Sequence, residues 1–205
     1  ALHSTEAEKE KQALELLDQG NLQEAELTYR ELIHSGSNNY INYGNLAAIC
    51  GSQGKWGELI DLLKTALELN PNYTLAHNNM GVALKEQGNL KAAIASYHKA
   101  LELQPNYPEA HNNLGSALQL YGDLQNAISS YQTAIKLQPN YPEAHNNLGN
   151  AFQEKGAIAA AITSYNQALN LQPDYAAAHY NLGNALQEQG ELAASISSYK
   201  TAIKI

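Results

Sequence analysis

The chain holds one cysteine, one arginine and one tryptophan in 205 residues, and it has no long apolar run. A lone thiol, Cys50, excludes an internal disulfide and suits a reducing compartment, so a cytoplasmic, intracellular setting is expected. No secretory signal is visible in a chain that starts without Met. No stretch approaches the roughly 20 apolar residues that span a bilayer. Arg30 is the only arginine, and 12 Lys and Arg stand against 20 Asp and Glu, for a net charge of −8. Nucleic acid and anionic membrane surfaces need clustered cations, so neither is an expected partner. Neither paired carboxylates, nor a phosphate loop, nor a Ser/His/Asp arrangement stands out, so no catalytic residue and no cofactor is assigned. Charged residues make up only 16%, below the usual quarter or so. Asn, Gln, Ser and Tyr carry the polarity, which suits a surface built for hydrogen bonds more than for long-range fields.

What the chain has in abundance is internal repetition. Leu103 to Gly115 recurs unchanged as Leu137 to Gly149. Gly20, Gly54, Gly88, Gly122, Gly156 and Gly190 lie 34 apart. Two further series keep the same phase: Tyr29, Leu63, Tyr97, Tyr131, Tyr165, Tyr199, and Leu32, Ala66, Ala100, Ala134, Ala168, Ala202. They define repeats at 6–39, 40–73, 74–107, 108–141, 142–175 and a partial 176–205. One elongated unit over 1–205 is expected, because repeats of this kind pack mainly on their neighbours.

Each repeat predicts two helices. In 108–141, Pro108 and Glu109 suit a first helical turn, and Ala110, Leu114, Ala117 and Leu118 recur at helical spacing. Gly122 ends that helix and Asp123 caps the next, as Asn21 and Asn89 are expected to do in their repeats. Leu124, Ala127, Ile128, Tyr131, Ala134 and Ile135 form the second stripe, which Pro139 ends. Gly81, Gly115, Gly149 and Gly183 fall mid-helix at a cost of about 1 kcal/mol against alanine. Close approach of the second helix accounts for them, and for Ala93, Ala127 and Ala161.

The two ends depart from the pattern. Lys11 stands where later repeats have Asn, and Glu8, Lys9 and Lys11 read as a solvated N-terminal cap. At the other end Ile196, Tyr199, Ile203 and Ile205 form a stripe with no following repeat to cover it. Solenoids end in polar caps. The expectation is therefore a piece of a longer protein, or self-association through the C-terminal helix by Ile196, Tyr199 and Ile203.

The most persistent polar position is Asn45, Asn79, Asn113, Asn147, Asn181. At 100° per residue Asn113 points away from the face of Ala110, Leu114, Ala117 and Leu118. Helices pack about 8–10 Å apart, so one asparagine would meet about every third residue of an extended chain rising about 3.3–3.6 Å per residue. A carboxamide both donates and accepts, so it reads peptide backbone. Asn78, Asn112, Asn146, Asn150 and Asn184 neighbour this row and are expected to join it in binding. The alternative is a helix–helix hydrogen-bond ladder or simple solvation.

Other residues read as packing. His77, His111, His145 and His179 should stand about 10 Å apart, too far to share one metal ion. Tyr73, Tyr107, Tyr141 and Tyr175 are expected to pack under the turns, and Cys50 and Trp56 in the core.

The pattern Leu114, Gly115, Leu118, Ala127, Tyr131, Ala134, Pro139 resembles the tetratricopeptide repeat over nearly the whole chain, with histidine where that family often has a large aromatic residue. The resemblance implies an all-α, right-handed superhelical solenoid of antiparallel helix pairs. The asparagine row resembles the ladder of O-GlcNAc transferase-type repeat domains, which grips extended peptides in the concave groove. Asn-Asn-Leu-Gly and Ile-Ala-Ser-Tyr also look like bacterial arrays attached to glycosyltransferases. The resemblance thus implies the peptide-binding part of a larger, glycosyltransferase-like protein and no enzyme within this chain. The alternatives are a freestanding assembly scaffold, a solenoid that self-associates through its C-terminal end, and an engineered consensus array. The lysine and arginine clamp that some members use for C-terminal carboxylates has no counterpart in repeats two to six.

Overall fold

The structure, a computed structural model, describes residues 5–205. Among them are twelve helices and no strand. The helices are α1 (Glu6–Asp18), α2 (Leu22–His34), α3 (Tyr40–Ser52), α4 (Trp56–Leu69), α5 (Thr74–Glu86), α6 (Leu90–Leu103), α7 (Pro108–Tyr121), α8 (Leu124–Leu137), α9 (Pro142–Glu154), α10 (Ile158–Leu171), α11 (Ala176–Gln189) and α12 (Leu192–Lys204). Each repeat supplies one packed pair, from α1 with α2 to α11 with α12. This is an all-helical solenoid fold made of helix pairs. It resolves into two compact units, one ending at Gln104 and the other running Pro105–Ile205. None of the described helices is long and apolar enough to cross a membrane.

The helix ends follow the local sequence. Gly122 closes α7 in the left-handed region at φ 93°, where a side chain would be strained. Asp123 and Asn89 cap α8 and α6 through their side chains, accepting from Asn126 N and Ala92 N. Asn21 precedes α2 without such a bond, so that expected cap is not formed. Tyr73, Tyr107, Tyr141 and Tyr175 occupy the position before the first helix of their repeats, half-buried and with no capping bond of their own. Their rings hold the turn by packing, and the Tyr73 ring meets Tyr40 edge-on at 4.8 Å between centroids.

The mid-helix glycines have the expected cause. A Cβ on Gly115 would come within 2.7 Å of the Tyr131 ring, and the same clash recurs between Gly149 and Tyr165. The second helix therefore lies against bare backbone, and its tyrosine fills the crossing. Ala93, Ala127 and Ala161 are fully buried on the second helix of their repeats. Cys50 is buried, and Trp56 packs partly exposed against the core of the first unit.

Candidate functional site

The two asparagines of each doublet have different surroundings. Asn78, Asn112 and Asn146 are only 6%, 1% and 4% exposed, whereas Asn79, Asn113 and Asn147 are half-buried. In the second unit the pairs link neighbouring repeats. Asn147 Nδ2 donates to Asn112 Oδ1 at 3.1 Å, and Asn181 Nδ2 donates to Asn146 Oδ1 at 3.0 Å. Asn112 Nδ2 in turn donates to Glu143 Oε1 at 3.1 Å. The first asparagine is thus a buried acceptor that orients the second. This departs from the expectation that Asn78, Asn112 and Asn146 face a ligand, because burial puts their carboxamides out of its reach. The helix–helix ladder weighed as an alternative is present.

The rung depends on an asparagine 35 residues earlier. For Asn79 that residue is Gly44, and Asn79 Oδ1 instead accepts from Asn78 at 3.3 Å. For Asn45 it is Glu10, whose carboxylate is taken by Asn39 and Asn42, and Asn45 donates to the Tyr29 hydroxyl at 2.9 Å.

One turn along the same helix face, Asn150 and Asn184 meet the second helix of their repeats. Tyr165 Oη lies 2.8 Å from Asn150 Oδ1 and 2.9 Å from Gln153 Oε1. Tyr199 Oη makes the matching pair with Asn184 and Gln187 at 2.7 and 3.0 Å. One hydroxyl proton serves one acceptor, so the other amide presents its N–H. Burial pushes the Tyr165 phenol well above its ordinary range. A third row follows, with Gln119 Nε2 donating to Glu154 at 2.8 Å and Gln153 to Glu188. Gln153, Asn184, Gln187 and Glu188 line a polar hollow of about 440 Å³ in this row.

The histidines make a contact that the packing expectation missed. The Nε2 of His77, His111, His145 and His179 lies 2.9–3.1 Å from the carbonyl oxygen of Pro71, Pro105, Pro139 and Pro173. A carbonyl only accepts, so Nε2 carries the proton and ties each turn to the next helix. The recurring Pro to His spacing of six was the available signal. Among the described residues, no group of three or more His, Cys, Asp or Glu could hold a metal ion.

The sequence matches the family model described as TPR repeat at residues 47–88, 83–120, 121–156 and 150–190, and that described as tetratricopeptide repeat at 176–205. A comparison with curated proteins finds no match. Among solved structures, that of MamA is 26% identical with a TM-score of 0.69, covering 78% of this chain and 93% of that one. YrrB, described as a TPR protein with an unusual peptide-binding site, is 22% identical with a TM-score of 0.66 and coverage of 86% and 91%. PilF of Pseudomonas aeruginosa is 16% identical with a TM-score of 0.80 and coverage of 94% and 88%. At their identities the last two speak for the fold alone. With the family models matching most of the sequence, the chain belongs to the tetratricopeptide repeat family, whose modules mediate protein–protein interaction.

Proposed function

We propose that this interaction module binds extended peptide segments through its second-position asparagines: Asn45 and Asn79 in the first unit, and Asn113, Asn147 and Asn181 in the second. One observation carries the reading. The inter-repeat bond takes one N–H of Asn147 and of Asn181, and among the described residues their carbonyl oxygens and second N–H groups are unspent. A half-buried carboxamide held in this way is pre-oriented to pair with a peptide unit in both directions. Each such bond nets about 0.5–1.5 kcal/mol, so binding is expected to be about micromolar or weaker and tolerant of sequence. Asn150 and Asn184 flank the row and add side-chain selectivity. We extend the proposal no further than the module itself, without a glycosyltransferase portion.

The test replaces Asn147 and Asn181 with Ala and measures binding to an extended peptide library, with urea denaturation alongside. Binding should weaken by about threefold to tenfold per asparagine. Unchanged affinity in a folded variant would move the site off the ladder.

A second reading is self-association through α11 and α12. It rests on a largely apolar cleft of about 620 Å³ lined by Ala176, Ala177, Tyr180, Tyr199, Ala202 and Ile203 together with Asn181 of the row, with Ile196 and Ile203 53% and 86% exposed. Sedimentation equilibrium of Ile203→Glu against the parent decides it: a parent that is already monomeric would end this reading.

A further inference from the structure

The peptide reading concerns backbone. The first unit also holds a feature suited to one side chain. Between α3, α4 and α5 lies a pocket of about 330 Å³ lined by Ala48, Gly51, Trp56, Leu59, Asn79 and Val82. That volume is at the low end for ligand sites, which run about 300–1,000 Å³, so it suits one bulky side chain better than a cofactor. Its wall is apolar and holds no charged residue. Its single carboxamide is Asn79, a member of the asparagine row.

The pocket has a cause in the sequence. Ala48 and Gly51 stand in the register that the second unit fills with Ser116, Asn150 and Asn184, and with Gln119, Gln153 and Gln187. Small residues there open the space above Leu59 and Trp56. Val82 replaces the amide on the facing helix. Ile41 and Leu75, four residues before Asn45 and Asn79 on the same helix face, are 44% and 42% exposed, where the second unit has Glu109 and Glu143. A bound segment therefore meets a carboxamide for its backbone directly beside an uncharged apolar well.

We infer that this pocket is a specificity subsite that takes one bulky aliphatic or aromatic side chain, Leu-like or Phe-like, from a peptide whose backbone pairs with Asn79. This rests on the peptide-binding reading. The row gives affinity along the chain, and the pocket fixes the register in which the segment lies.

Trp56, the only tryptophan, lines the pocket and reports its occupancy. The probe is a degenerate ten-residue peptide library with one position at a time fixed as Leu, Phe, p-bromophenylalanine or Ser. Expected is a preference of about tenfold to a hundredfold for the apolar residue over Ser at one position, with Trp56 emission quenched by the brominated member. Ala48→Phe places a ring in the pocket from an exposed helix position and should abolish both signals. Val82→Gln, which makes the wall polar, should weaken both and serves if Ala48→Phe fails to fold. Binding that Asn79→Ala weakens but that shows no apolar preference overturns the subsite and leaves the peptide reading standing. So does a preference that survives both pocket variants with Trp56 emission unchanged. Absence of all peptide binding removes the reading and the subsite together.

Discussion

The two units share one frame and differ in what they present on it. Both cross their helix pairs where small residues meet a large one, and both tie a histidine to the preceding proline carbonyl. On the asparagine-bearing face the first unit shows Ile41, Leu75, Ala48 and Val82, and the second shows Glu109, Glu143, Asn150 and Asn184. Tyr97 in the first unit has a buried hydroxyl without a partner, because Val82 and Lys85 stand where Asn150 and Gln153 bond Tyr165. Among the described residues every ion pair lies in the first unit. Positions that set helix spacing are fixed by steric fit, and positions on the open face are free to take up function.

Two glycine substitutions separate the positions fixed by steric fit from those that are free. Gly149→Val drives a branched side chain into the Tyr165 ring and should cost about 3 kcal/mol. Gly57→Val, where an added Cβ meets nothing within 4 Å, should stay within about 0.5 kcal/mol of the parent. Urea denaturation followed by circular dichroism measures both. Equal costs would mean that the glycines are not there for the crossing.

The ladder gives the next largest contrast. Asn147→Ala leaves the buried Asn112 oxygen without its donor and should cost about 1–2 kcal/mol. Asn79→Ala loses a 3.3 Å contact with its own neighbour and should cost under about 0.5 kcal/mol. If the two cost the same, the inter-repeat rung contributes nothing in solution. The tyrosines sharpen the point. Tyr165→Phe should lose about 1 kcal/mol, while Tyr97→Phe should be neutral or slightly stabilising, since it removes a hydroxyl that burial leaves unsatisfied. Thermal unfolding of the pair tests this.

The frame was legible in the sequence because steric constraints repeat. Gly115 and Tyr131 keep their spacing in four repeats, and that phase, with Pro108, Gly122 and Pro139 at the helix ends, sets out the helix pairs and their boundaries. The asparagine row was legible as a row, but its division into a buried acceptor and an oriented donor was not. Asn112 and Asn113 are adjacent and chemically identical, and a helical wheel separates them by only 100°. What buries Asn112 is the next repeat, through Glu143 and Asn147, and that contact lies 31 to 35 residues away. The pocket was hidden for a related reason. Ala48 and Gly51 read as ordinary small helix residues until Trp56 and Val82 are seen around the space they leave.

The smallest expected effect concerns the charges of the first unit. Arg30 bridges two helices, pairing with Glu26 at 2.7 Å and with Glu58 at 2.6 Å. Hydrogen bonds from Gln53 and then Arg30 hold the Glu26 carboxyl below its ordinary value of 4.5, and the bond from Arg30 does the same for Glu58. A carboxylate whose folded value is depressed adds stability that is fully present above the unfolded value. That stability is lost as pH falls through the folded one. The cluster is partly solvated and screened, so Arg30→Ala should cost under about 1 kcal/mol at pH 6. The cost should shrink as pH falls below 4.5, and also in about 1 M salt, where the Debye length is near 3 Å. A double comparison of parent and variant by thermal unfolding at pH 6 and pH 3 measures the change. The same pH step applied to Lys155→Ala, whose ammonium bonds the neutral Gln125 at 3.1 Å, should leave its cost unchanged. A matching loss there would mean that acid acts on the whole chain, and that the ion pairs do not distinguish its halves.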